Sequence, residues 1–415
     1  MRSAFLVSHP TGNTFVRALL QELNRRDYLN TFHTTLAAST LPHPLDRLLP
    51  TLGKKRNYPV PANKIHSHPI YEVFRLTAGL LSSHERRRRL TDNTYKYLDC
   101  AVAKALPLSR AKIVHAYEDG ALQTFRTAKA LGVFRSYELP IAHWRTARRL
   151  LSEEAERYPD WEPTLETTRE PEEKLHRKDE ELRLADLITC PSSFVLDSIP
   201  PLIRNSTPCL LSPFGSPPAD KQPNLPASDS FNSPLKVLFV GSMSQRKGLA
   251  DLFTAFRLLD SNRFQLTVLG SPSLPLSFYH SKFSHFKHLP PMPRPQVLAT
   301  MRGHHVFALP SIVEGRALVQ QEALSWGLPL LATRNAGGSD LVQEGRTGFL
   351  VPIRSPEAIA EKLEWFLKNR NRIHAIRSHC FAKSTNYSWN SYAKAIIDFC
   401  LRQKTNKAQS SANSD

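Results

Sequence analysis

Two acidic residues, Glu314 and Glu322, are separated by seven others in a stretch otherwise rich in apolar and small residues. An ionised carboxylate only accepts hydrogen bonds, which suits it to the paired hydroxyls of a sugar. Further upstream, Arg246 and Lys247 precede Gly248 and an amphipathic run, a place where a cation can meet a diphosphate. Gly241, ahead of them, lets a backbone approach a ligand closely. A helical segment of eight residues rises about 12 Å. Glu314 and Glu322 would then sit at the two ends of an elongated ligand, roughly a ribose and a hexose joined by a diphosphate.

These residues need elements to position them. Residues 308–311 read as the end of a buried strand, and Glu314-Gly315 as a tight turn that starts a helix with Leu318, Ala323 and Leu324 inward. Gly327-Leu328-Pro329 ends that helix. Residues 330–333 form the next strand, whose apolar run suits a parallel sheet covered on both faces. Binding crevices in such sheets lie at the carboxyl ends of the strands. The free N–H groups at the helix start, from Gly315 through Arg316 and Ala317 to Leu318, favour a phosphate there.

The order of a Pro-Ser, a Glu, a second Glu, a Gly-Leu-Pro strand and the Gly337-Gly338 turn resembles the donor-binding signature of glycosyltransferase family 4. These are retaining enzymes of the GT-B fold, α/β proteins with two Rossmann-like doubly wound domains facing across a cleft. The resemblance implies that Glu314 contacts the transferred sugar, that Glu322 holds the ribose, and that Lys247 meets the diphosphate beside Gly241. The family's arginine position is Ser242 here, and Arg246 is the neighbouring cation that could replace it. On the acceptor side the resemblance implies site residues in the loop of Gly12 and Asn13, where the family often has Gly-Gly. It also implies a sugar-facing histidine, with His143 the first candidate and His115 the second. A nucleotide-diphosphate-sugar is then the donor substrate. No metal and no cofactor are expected, because positive side chains and helix N-termini stabilise the leaving diphosphate.

The 415 residues suit two domains: 1–215 on the acceptor side, joined by a helix at about 385–401, and 235–384 on the donor side. The Pro- and Ser-rich stretch 216–234 reads as the linker, and 402–415 as a disordered tail. The segment 37–70 reads as a long irregular insertion, and 272–295 as a Pro-rich passage. No apolar run is long enough to span a membrane, no secretory leader opens the sequence, and five scattered cysteines fit a reduced, cytoplasmic setting.

A net charge of +18 calls for an anionic partner. The run His84 to Arg89 is either a solvated helix face or a contact with an anionic membrane surface at the inner face. Nucleic acid is not expected, since no helix-turn-helix, RNP or zinc-finger spacing occurs. Walker, GxGxxG and Ser/His/Asp patterns are also missing. The competing readings are a nucleotide-sugar epimerase or hydrolase on the same fold, and a non-catalytic basic scaffold.

Overall fold

Short apolar runs buried on both faces build two parallel sheets. The computed structural model describes residues 3–40, 56–79, 84–165, 169–217 and 233–412. The first sheet contains β1 (Phe5–Ser8), β2 (Leu29–Thr34), β3 (Ile65–Ser67), β4 (Ile113–Tyr117), β5 (Phe134–Glu138), β6 (Leu187–Cys190) and β7 (Cys209–Leu211) in the order β3-β2-β1-β4-β5-β6-β7. The second contains β8 (Leu235–Val240), β9 (Phe264–Leu269), β10 (Phe286–Leu289), β11 (Val306–Leu309), β12 (Leu330–Thr333) and β13 (Gly348–Val351), ordered β10-β9-β8-β11-β12-β13. Strand order reverses beside β1 and beside β8, and the crevice at each reversal opens at the strand carboxyl ends. The fold is GT-B.

Helices cover both sheets because their apolar positions recur every three or four residues. In Thr14–Arg25, Val16, Leu19, Leu20 and Leu23 are all fully buried. The last helix, Trp389–Ala412, returns to the first domain, placing Tyr392, Ala393, Ile396, Ile397 and Cys400 in the same core. Arg26 pairs with Asp398 at 2.7 Å along that contact.

Several expectations are corrected. The final helix runs to Ala412, so a disordered tail from 402 is not found among the described residues. Lys, Gln, Arg and Ala after Leu401 are good helix formers, and they continue the helix without an apolar stripe. The Pro-rich passage 272–295 holds β10 and the helix Leu276–Lys282, and it runs into the helix Arg294–Arg302. Pro275, Pro293 and Pro295 sit at helix starts, where a missing N–H costs nothing. Within 37–70 lies β3, while 41–55 and most of the expected linker lie outside the described residues.

One segment crosses between the halves. After the helix Trp144–Arg157, Trp161 inserts into the core of the second domain against Phe253, Phe278 and Tyr279. Beside it, the buried Glu154 carboxylate accepts from the Gln245 amide at 2.6 Å and from the Arg354 guanidinium.

Candidate active site

The donor-side loop after β8 is shaped by glycines. Gly241 has φ +153, and a Cβ there would meet the Lys247 side chain at 2.6 Å. Gly248 is left-handed at φ +74, and a Cβ there would strike the Pro310 carbonyl oxygen at 2.0 Å. Glycine at both positions therefore lets the turn Gln245–Lys247 pack onto the end of β11 with the Lys247 stem lying over Gly241. Gln245 fixes this turn: its backbone N–H donates to Thr164 Oγ1 at 3.1 Å, and its amide donates to Asp251 at 2.8 Å.

The turn aims two cations at one carboxylate oxygen. Lys247 Nζ lies 2.5 Å and Arg246 Nη1 2.8 Å from Oε1 of Glu314. All three side chains are largely removed from solvent. Burial alone would push the Glu314 carboxyl up, but Lys247 and then Arg246 outweigh it and hold it below the usual carboxylate range. Burial also lowers the Lys247 ammonium, with Glu314 acting against that shift. Two cationic side chains and one carboxylate leave one net positive charge at the crevice.

Glu314 is held from behind. Its N–H donates to Asn335 O at 3.1 Å, and the Asn335 amide donates to Ile312 O at 2.8 Å. Gly315 is wedged between the halves: a Cβ there would meet the Pro140 carbonyl oxygen at 1.7 Å, and Ser192 Oγ donates to its carbonyl at 2.6 Å. Gly337, left-handed at φ +77, closes the other side, where a Cβ would strike the Gly315 oxygen at 1.9 Å. Gly337 thus serves close packing against the Glu314 loop, whereas a Cβ at Gly338 would meet the Gln320 side chain at 2.6 Å.

The helix expected from Glu314 begins only at Leu318, with Ala317 as N-cap. Residues 314–317 form a loop, so an eight-residue helical rise does not set the spacing of the two glutamates. Leu318 packs half-buried against the core of the first domain, while Ala323 and Leu324 point inward as expected. Arg316 is tied down by Asp340 at 2.7 Å and Gln321 at 3.1 Å, so its side chain braces the loop. Glu322 pairs with Arg294 Nε at 2.8 Å, and burial pushes its carboxyl up against the pull of that arginine. Arg294 was hidden in the Pro-rich passage and had no motif to mark it.

On the facing side, Gly12 adopts the expected positive φ of +61. Its N–H and that of Thr11 donate to Nδ1 of His9, at 2.8 and 3.0 Å. His9, which no sequence motif marks, therefore organises the loop. Burial first, then Arg56 and His115, lowers its pKa to about 3, so it stays neutral and accepting. Asn13 is the exposed N-cap residue of the following helix.

Neither histidine candidate sits as expected. His115 lies inside β4 rather than in a loop, fully buried, with Nδ1 2.9 Å from Ser136 Oγ and its pKa lowered to about 3 by burial. His143 is buried at 1% exposure and is the N-cap of the helix Trp144–Arg157, its Nδ1 accepting from Arg145 N–H at 3.4 Å. Burial lowers its pKa to about 4, although Asp179 Oδ1 stands 3.3 Å from Nε2. Nδ1 thus helps to order the loop after β5, while Nε2 is buried without a hydrogen-bond partner among the described residues.

Residues 220–380 match the family described as glycosyl transferases group 1. The match takes in the second sheet and the helices that cover it. Among curated relatives, a D-inositol 3-phosphate glycosyltransferase of Paenarthrobacter aurescens is 32% identical over 33% of this chain and 35% of its own length. One of Corynebacterium urealyticum is 32% identical over 26% of each chain. An amylovoran biosynthesis glycosyltransferase of Erwinia amylovora is 25% identical over 33% of this chain and 37% of its own. The matches to these relatives thus span between a quarter and two fifths of their length. Solved structures align over nearly the whole chain. Sucrose-phosphate synthase of Thermosynechococcus elongatus has TM-score 0.65 at 16% identity, covering 98% of this chain and 100% of that one. Anabaena HepE in complex with UDP has TM-score 0.63 at 15% identity, covering 97% and 100%.

Proposed function

We propose that the protein is a retaining glycosyltransferase that moves a sugar from a nucleotide-diphosphate-sugar to an acceptor hydroxyl. The observation that carries this reading is the convergence of Arg246 and Lys247 on Glu314 at the carboxyl end of β11. Without ligand the three charges satisfy one another. An incoming diphosphate competes with Glu314 for both cations, and its charge answers the surplus positive charge. Lys247, with Arg246, then stabilises the leaving diphosphate, where charge builds up as the glycosidic bond breaks. Glu314, released towards the sugar, positions it and offsets positive charge at the anomeric carbon. Glu322 accepts from ribose hydroxyls in exchange for Arg294, and the N–H groups of Gly315, Arg316 and Leu318 face phosphate or sugar, whereas that of Ala317 already donates to Ala336 O at 3.2 Å. The leaving-phosphate oxygen takes the acceptor proton, so no side-chain base and no metal enter the scheme.

His9 holds the Gly12 loop on the acceptor side, and His143 fixes the loop that presses on Gly315; both are positioning residues here. Placement in the cytoplasm, with a peripheral contact to an anionic membrane face, belongs to the same reading. It is supported by the +18 charge, and among the described residues no helix is long and apolar enough to cross a membrane. The test is a thermal-shift panel of UDP-, GDP- and ADP-sugars, followed by product analysis with candidate acceptors. A stabilising donor and a product of unchanged anomeric configuration are expected. Sugar release that proceeds equally well without acceptor would make the protein a hydrolase or epimerase instead.

A further inference from the structure

The helix Ile70–Gly79 is built inside out. Among its described side chains only Glu72 is buried, whereas Ile70, Val73 and Phe74 are 66%, 48% and 53% exposed, flanked by exposed Tyr71 and Leu76. Helical spacing puts Ile70, Val73 and Phe74 on one stripe and Glu72 with Arg75 on the opposite one. The inward stripe is held by charge: Glu72 pairs with Arg56 and, at 2.8 Å, with Arg75. This orientation is therefore fixed by buried ion pairs. Five of the eleven large hydrophobic residues exposed among the described residues fall within positions 70–76, and the other six are scattered. Clustered exposure of this kind marks a surface that something covers.

The neighbouring element says what. Tyr71 stacks on Tyr97 with ring centroids 4.5 Å apart, and its carbonyl accepts from Thr94 Oγ1 at 3.3 Å, which docks the helix onto His84–Ala105. The first turns of that second helix carry Arg86, Arg87, Arg88 and Arg89. An apolar stripe beside consecutive guanidinium groups matches a surface that is apolar inside and phosphate-rich at its boundary. The stripe begins three residues after β3 ends, so it lies at the carboxyl edge of the first sheet, the edge that also carries the Gly12 loop and Pro140.

We propose that the helix Ile70–Gly79 and the first turns of His84–Ala105 form a docking surface for an anionic lipid bilayer. Ile70, Val73 and Phe74 enter the acyl boundary while the arginines meet lipid phosphates. This rests on the membrane-face part of the reading above and adds the element that inserts; it can fail while sugar transfer stands, because the measurement needs no donor. Full-length protein is sedimented with phosphatidylcholine vesicles, with and without phosphatidylglycerol. Binding is expected only with phosphatidylglycerol, weakening as salt rises, and V73S/F74S should lower the bound fraction about tenfold at an unchanged melting temperature. Because that double variant can disturb folding, Phe74→Trp keeps the stripe apolar and adds an indole whose fluorescence brominated anionic lipid should quench. Three outcomes would overturn the proposal: wild type left in the supernatant with both vesicles, no added quenching in the Phe74→Trp variant relative to wild type, or a dimer in sedimentation velocity that V73S/F74S dissociates. The last would assign the stripe to a second copy of the chain.

Discussion

The two sides of the cleft handle charge in opposite ways. On the donor side, Arg246, Lys247 and Glu314 are ionised and crowd around a single oxygen. In the first domain four buried groups are instead pushed towards their neutral forms, His9 and His115 falling to about 3, His143 to about 4 and Glu138 rising to about 7, while its buried charges, such as Lys178 beside Glu118 and Glu170, are paired within the fold. One side can therefore take up a charged ligand by exchanging ion pairs, while the other supplies shape and fixed hydrogen bonds.

The strongest way to break that comparison is Glu314→Ala. Transfer should fall by about a thousandfold or more while circular dichroism stays unchanged, and turnover near the wild-type rate would remove the donor side from the chemistry. Lys247→Ala comes next. It should weaken donor binding by about ten- to a hundredfold, since charged hydrogen bonds contribute about 1.5–3 kcal/mol, measured by calorimetric titration with the donor found in the panel.

Glu138 sharpens the other side. Burial raises its pKa, against Thr189 Oγ1 donating at 2.6 Å and Tyr392 OH at 3.1 Å. Its folded pKa of about 7 lies above the ordinary 4.5, so the folded chain holds the proton more firmly. The stability this lends is complete below pH 4.5 and lost as pH rises through about 7. Glu138→Gln should flatten the fall in stability across that window, on the order of 3 kcal/mol. A slope identical to wild type would mean that the carboxyl is not held protonated.

The smallest effect belongs to His143. His143→Ala should cost about 1 kcal/mol as a lost N-cap and change turnover only a few-fold. His143→Ser should restore the stability, because a serine oxygen can cap the same N–H. A catalytic imidazole would not be rescued that way, so loss of transfer in both variants would reverse the assignment.

The donor half was more legible in the sequence than the acceptor half, for a physical reason. Gly241, Lys247, Gly248, Glu314 and Gly337 act through local backbone conformation and short loops, and their order along the chain mirrors their meeting in space. What went unread depends on contacts between distant segments. The start of the helix at Leu318 follows from Gly315 being wedged between Pro140 and Gly337, which no local pattern records. His9 gains its role only by folding back under Gly12, and Arg294 only by reaching Glu322 from another helix. His115 looks like a loop-end residue by type, yet its strand continues two residues beyond it.

Trp161 bears on where the chain can be divided. The indole lies in sequence with the first half but fills a socket of Phe253, Phe278 and Tyr279 in the second. A fragment cut at the interdomain connector would leave those three rings facing water, an aggregation-prone patch. Soluble expression of the donor half alone should thus require residues 158–165 supplied in trans or grafted on; a clean, monomeric 233–384 fragment would show that the socket closes by itself.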